Sequence, residues 1–243
     1  MLTRRHFIAT STALFGATPI LAQDAEVADA ATEAVTDEVV TEEVVARAPV
    51  SNPAMYNAWD ARVTPANYDP ATSNPWGLHP RFLPTVVEAR AGLTPGDIHV
   101  DAVARYLYHI RPDGMASRYG VAIAKGNLYE PGVYTIRVKK KWPTWKPTED
   151  MVERDPGAYK KFEDGVDGGP TNPLGSRALY LFEGNRDTYL RIHGTPWPRS
   201  IGQRSSSGCV RMVMAHIIGL YDQVAIGSTA HLYSPNGTLT ARS

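Results

Sequence analysis

From Gly96 onward the chain breaks into short segments in which apolar and polar residues alternate, each closed by a turn signal. The segments are residues 97–101, 104–110, 118–125 and 132–139, followed by 178–183, 188–193 and 228–233. A period of two turns one face of each segment toward a core and the other toward solvent, as in a half-buried strand. Pro112-Asp113-Gly114 and Gly184-Asn185 supply residue types that reverse a chain between strands. Repeated short strands of this kind predict a mainly β fold, a sandwich or barrel, over residues 96–234.

The chemistry concentrates in residues 190–212, which hold the chain's only cysteine, Cys209. A lone cysteine in an exported protein is an inert buried thiol, an intermolecular link or a nucleophile. Before it come Ser205, Ser206, Ser207 and Gly208, small residues that let a backbone turn tightly and point its N–H groups outward. After it, Val210, Met214, Ile217, Tyr221 and Val224 recur at the spacing of one helical face and predict a helix over residues 210–224. A thiol at that junction would feel the positive end of a helix dipole, which favours thiolate. An unperturbed thiol pKa of about 8.5 leaves only a few per cent thiolate near neutrality, so a base is still required. His193, sixteen positions upstream at the end of the 188–193 strand, is the candidate. No acidic residue stands out in the sequence as the group that would orient its ring.

His193-Gly194-Thr195, Ser200-Ile201-Gly202 and Ser206-Ser207-Gly208-Cys209-Val210-Arg211-Met212 closely resemble the L,D-transpeptidase catalytic domain of YkuD (ErfK/YbiS) type. The resemblance covers about residues 97–233 and implies a β-sandwich with a helix following the catalytic cysteine. It makes Cys209 the nucleophile, His193 the general base and acid, and the Gly194 carbonyl the group that orients the imidazole. Backbone N–H groups around Ser207, Gly208 and Cys209 would stabilise an oxyanion, with Ser206 and Arg211 shaping the loop. Many members carry a second histidine immediately before the Gly-Cys pair; this chain has Ser207.

The implied reaction takes a peptidoglycan tetrapeptide stem, releases its terminal D-alanine and leaves a thioester on Cys209. A second stem's amine then gives a 3-3 cross-link, an amine of an outer-membrane protein tethers that protein to the wall, and water makes the enzyme an L,D-carboxypeptidase. Carbapenems should acylate the same thiol. A wall-binding module without catalysis is the other class of reading, although both His193 and Cys209 are present. A papain-like protease places cysteine before histidine, the reverse of the order here.

The rest of the chain fits export. Residues 1–22 read as a signal peptide, with a basic start, a fifteen-residue apolar stretch and small residues before Gln23. Thr3-Arg4-Arg5-His6-Phe7-Ile8 resembles a twin-arginine signal, with the general secretory route as the alternative. Both routes predict a periplasmic or envelope location with no stable membrane span after cleavage; an uncleaved anchor is the second-ranked reading of the same residues. Residues 23–50 form an acidic, low-complexity linker without aromatic residues. Formal charges balance at 25 basic and 25 acidic residues, yet from Ser51 onward 22 basic and 17 acidic residues remain, a surplus small enough to serve solubility alone and of the sign that suits an anionic polymer.

Residues 51–95 are rich in proline and aromatic residues and should wrap the domain surface, anchored by side chains such as Trp59, Tyr68, Trp76 and Phe82. Basic residues alternate with Trp142 and Trp145 over 139–147, without any accompanying nucleic-acid-binding fold. The resemblance puts this insertion over the cleft, making Trp142, Trp145 and Thr195 substrate-lining, and places Asn172-Pro173-Leu174-Gly175 at the entrance. The glycines of residues 165–175 lack the ending of a phosphate-binding loop. His99 and His109 have no metal-ligand spacing and read as structural, so no metal and no organic cofactor are expected. Residues 235–243 are a polar tail.

Overall fold

The structure, a computed structural model, describes residues 52–236. The expected export signal, the acidic linker and the tail beyond residue 236 lie outside the described residues. The sequence opens with helix α1 (Pro53–Val63), then strands β1 (Thr85–Glu88), β2 (Ile98–Asp101), β3 (Tyr106–Ile110), β4 (Met115–Gly120), β5 (Ile123–Ala124) and β6 (Gly132–Lys141). Helices α2 (Glu149–Arg154) and α3 (Pro156–Tyr159) follow, then β7 (Arg177–Glu183), β8 (Arg186–Thr195), β9 (Arg204–Ser206), β10 (Val210–Val213), α4 (Met214–Gln223) and β11 (Thr229–Leu232).

Nine strands form one sheet in the order β1-β4-β3-β2-β11-β6-β7-β8-β10, and β5 pairs with β9 in a separate ribbon. The core gathers Val100 and Leu107 from one half of that order, Leu179, Ile192 and Met212 from the other, and Ile217 and Leu220 from α4. Strands far apart in the sheet therefore share one core, so the sheet curls over itself as the two layers of a sandwich do. Each fully buried Leu or Ile there contributes about 1.5–3 kcal/mol relative to exposure. The mainly β sandwich expectation holds.

Three local expectations are corrected. The helix expected from Val210 starts only at Met214; Val210–Val213 is instead strand β10, parallel to β8 with Arg211 opposite His193. Its burial serves the sheet, and the helical spacing across 210–224 arises because a four-residue strand leads straight into α4. The expected strand 118–125 is two strands, β4 and β5, which belong to different sheets. Between Ser51 and Pro95 the chain also forms α1 and the edge strand β1, antiparallel to β4.

Helix α1 buries no residue fully, so it has no apolar stripe to announce it. Asn52 caps it, accepting from Ala54 N–H and Met55 N–H, and Pro53 occupies its first turn. It is fastened by polar and aromatic contacts instead. Asp60 accepts from Arg177 Nη1 (2.9 Å) and Nη2 (2.6 Å) and from Trp142 Nε1 (3.1 Å). The Trp59 ring meets Trp142 edge-on at 5.3 Å. Farther along, Tyr68 donates to or accepts from His216 Nε2 at 2.6 Å, and Trp76 packs edge-on against the same imidazole. Among the described residues no helix is long and apolar enough to cross a membrane.

Candidate active site

The β7–β8 hairpin delivers His193 to a cleft. Gly184, with φ +58°, makes the reversal that lets β8 run back beside β7, where His193 pairs with Ala178. His193 is buried, and its Nδ1–H donates to the carbonyl oxygen of Gly194 at 2.5 Å. Because a carbonyl only accepts, the proton sits on Nδ1 and Nε2 keeps its lone pair. Desolvation and then the Arg211 charge push the His193 pKa down to about 3, so the ring is neutral at any physiological pH. The Gly194 carbonyl and the Leu174 backbone pull the other way.

The loop before β7 is built to press on this hairpin. Asn172 is fully buried; its Nδ2 donates to Val166 O and Asp167 O, and its Oδ1 accepts from Leu174 N–H. Gly175 follows with φ +61°, and a Cβ there would lie 2.7 Å from the Gly194 carbonyl carbon. Only glycine allows both the left-handed backbone and that approach, so Asn172 and Gly175 hold Leu174 against His193.

Cys209 sits just ahead of β10, one residue before the pairing of Val210 with Ile192. It is half-buried, and its Sγ–H donates to the Tyr189 carbonyl at 3.7 Å. Desolvation lifts the thiol above its ordinary value; the Arg191 charge, the Arg191 backbone and the Arg211 charge counter this, and Glu130 adds to it. The dipole expected to favour thiolate is not available, because α4 begins five residues later and Cys209 leads into a strand. The resting cleft therefore holds a thiol and a neutral imidazole.

The serines around it have separate tasks. Ser206 ends β9 and its hydroxyl donates to the Cys209 carbonyl. Ser207 Oγ lies 2.6 Å from the Tyr159 hydroxyl of α3. Gly208 takes φ +143°, a backbone that other residues rarely adopt, and so turns the chain into Cys209. Arg211 lines the cleft with its guanidinium 5.7 Å from the Trp197 ring centroid.

The cleft has a volume of about 1200 Å³, and Cys209, His193, Ser206, Ser207, Gly208 and Arg211 all line it. Part of its wall comes from the insertion between β6 and β7, including Trp145, Met151, Arg154, Tyr159 and Phe162. Trp145 packs against Phe162 and Tyr159 and its backbone pairs with Val166. Trp142 is corrected: it is 3% exposed, absent from the cleft wall, and committed to Trp59 and Asp60. Thr195 is also buried away from the wall, with its Oγ1 accepting from Trp197 N–H. Tyr159, Tyr189 and Arg191 belong to the wall and were not singled out by the sequence. Their signal was weak, since an aromatic or arginine in an alternating strand or a one-turn helix has many uses.

The fold also gathers Asp97, His99 and His231, whose ligand atoms lie within 4.8 Å of one another. The two imidazoles stack at 4.4 Å with planes only 3° apart, so their lone pairs run parallel and do not converge on one ion. Asp97 instead accepts from Thr229 N–H and faces His231 Nε2 at 3.4 Å, while His99 Nδ1 meets the Tyr233 hydroxyl.

A histidine pinned through Nδ1 to the next carbonyl, facing a cleft shared with a Gly-Cys-Val-Arg loop, is matched by a known family model. The L,D-transpeptidase catalytic domain model YkuD covers residues 95–232. The chain belongs to the YkuD family. Probable L,D-transpeptidase YbiS of Escherichia coli strain K12 is 32% identical over 178 residues, 67% of this chain and 56% of that protein. Probable L,D-transpeptidase ErfK/SrfK of the same strain is 29% identical over 138 residues, 56% of this chain and 43% of that one. The chain thus spans about half the length of these curated relatives. A solved structure from Brucella melitensis, described as a probable carnitine operon oxidoreductase caia, is 48% identical, covers 62% of this chain and 93% of that one, and superposes with a TM-score of 0.44. In this YkuD member, the position before the Gly-Cys pair carries a hydroxyl latched to Tyr159.

Proposed function

We propose that this chain is a cysteine-dependent L,D-transpeptidase acting on peptidoglycan stem peptides outside the cytoplasm. The observation that carries the reading is the shared cleft of Cys209 and His193, with the His193 ring neutral and its Nδ1–H fixed on Gly194 O. Such a ring accepts a proton on Nε2 and cannot turn away.

In the first half-reaction the Cys209 sulfur attacks the carbonyl of the third stem residue as its proton passes to His193 Nε2. The oxyanion is received by backbone N–H groups of the Ser207–Cys209 turn, each worth about 3 kcal/mol when well aimed. Collapse breaks the amide bond, and His193 returns the proton to the departing D-alanine amine, leaving a thioester. In the second half-reaction an acceptor amine attacks the thioester, gives its proton to His193, and expels the sulfur, which takes that proton back. An amine of a second stem yields a 3-3 cross-link, an outer-membrane protein amine yields attachment, and water yields L,D-carboxypeptidase trimming. Residues 1–22 would direct export, by a twin-arginine route or the general secretory one, and residues 23–50 would be the acidic linker that follows.

Intact-protein mass spectrometry after incubation with disaccharide-tetrapeptide tests this. The wild type should gain the acyl mass and release D-alanine, and Cys209→Ala and His193→Ala should do neither. A wild type that keeps its free thiol and fold yet takes up no acyl group from the stem or from a carbapenem overturns the reading and favours a wall-binding module.

A further inference from the structure

We infer that Asp187 and Arg191 form a positioning clamp that fixes a cation and a backbone carbonyl beside the Cys209 sulfur. The inference deepens the reading of Cys209 as nucleophile and rests on it. It starts from an irregularity in the β7–β8 ladder. Tyr180 pairs with Arg191 and Phe182 with Asp187, so the single residue Leu181 faces Thr188, Tyr189 and Leu190. The additional residues bulge out of β8 at the point nearest the thiol, and bulges beside active sites commonly re-aim a side chain or a peptide group.

Asp187 organises the bulge from inside. One carboxylate oxygen accepts from Tyr189 N–H (2.9 Å) and Arg191 Nη1 (2.6 Å), and the other accepts from Arg191 Nη2 (2.8 Å). Thr188 closes the other side, donating through Oγ1 to Leu181 O and accepting from Leu190 N–H. Tyr189 is left with φ +59°, where a bulky residue is strained, and its carbonyl accepts from the Cys209 thiol. The Arg191 guanidinium is held at four points of contact: the two Asp187 oxygens, the Leu190 carbonyl at 2.9 Å, and the Tyr180 ring 3.9 Å below it. A bidentate, stacked arginine has little freedom to swing, so its charge stays at the cleft wall.

The clamp gives the sulfur two partners, one for each protonation state. The thiol donates to Tyr189 O; once the proton has moved to His193, the Arg191 charge and backbone stabilise the sulfur that remains. Other groups facing the sulfur are Arg211 on β10, which acts in the same sense, Glu130 ahead of β6, which opposes, Tyr180 on β7 and His193 on β8. The clamped arginine is a cation on the cleft wall that does not titrate near neutrality.

The rate of Cys209 alkylation by iodoacetamide against pH tests the clamp on the full chain, whose single cysteine makes the signal unambiguous. In Arg191→Met the midpoint should rise by about one pH unit, a tenfold loss of thiolate at a given pH. Arg191→Lys, which keeps the charge without the fork, should restore the midpoint while thioester formation from tetrapeptide stays about tenfold slow. A midpoint that stays put in a folded Arg191→Met overturns the clamp. If that variant does not fold, a midpoint raised as far in Arg191→Lys as in a folded Arg191→Gln overturns it too. Midpoint shifts as expected in a protein whose wild type never acylates uphold the clamp and sink the stem-peptide reading; a wild type that acylates with no midpoint shift does the reverse.

Discussion

The hydroxyl of Tyr159 lies 2.6 Å from Oγ of Ser207, two residues before the cysteine, so the insertion over the cleft is latched to the loop that presents the thiol. Trp145 and Phe162 back the Tyr159 ring, which makes the latch part of an aromatic layer and not a loose surface contact.

Tyr159→Phe keeps that layer and deletes the hydrogen bond. One such bond contributes about 1 kcal/mol net, so the KM for the donor stem should rise roughly fivefold with a smaller change in kcat. A double-mutant cycle with Ser207→Ala checks it: the two losses should fail to add by about 1 kcal/mol, and strict additivity means no latch.

Because His193 is neutral down to about pH 3, protonation of the base should not limit acylation near neutrality. Thioester formation in single-turnover experiments should vary by no more than about twofold between pH 5 and 7. A base of ordinary pKa, about 6.5, would lose about thirtyfold at pH 5, a difference that a stopped-flow pH series resolves.

Stability has a related acid limit. His99 is pushed down to about 4, mainly by desolvation and then by His231, and desolvation takes His216 and His193 to about 3. Folded values below the unfolded one mean that the unfolded chain binds more protons as the pH falls from about 6.5, so the native state keeps this stability above 6.5 and loses it progressively below. Each histidine adds a slope of about 1.4 kcal/mol per pH unit at its steepest. Burial lowers His109 as well, so urea unfolding between pH 4.5 and 7 should show a slope that steepens toward the acid end to about three protons or more, and His216→Gln should remove about one.

Asp60→Ala leaves the Arg177 guanidinium, 4% exposed, without its carboxylate. Breaking a buried pair from one side costs about 3–5 kcal/mol, and the partial exposure of Asp60 puts the expected loss at the lower end. Chemical denaturation measures it; a loss under about 1 kcal/mol would show that α1 is not structurally coupled to β7.

Much of the site was legible because its residues announce themselves locally. Alternation over 188–193 and the Gly184-Asn185 turn located β8 and put His193 at its end, and a single cysteine behind three serines and a glycine needs no tertiary information to be noticed. What stayed hidden depends on partners distant in sequence. Val210–Val213 becomes a strand because β8 is beside it, and four residues carry too little periodicity to reveal that. Helix α1 buries no apolar face, so its only local marks were Asn52 and Pro53. Trp142 could serve cleft or anchor until Asp60 was seen beneath it, and the β8 bulge is invisible in a run that still alternates.

The family model begins at residue 95, whereas Asp60 and Trp59 already grip β7 and the residue that follows β6. The stretch that the family model matches and the unit that this chain folds are of different lengths. A chain trimmed to residues 95–232 would expose the Trp142 indole and an unneutralised Arg177 on the same patch, creating a sticky, cationic surface where the intact chain has a closed seam.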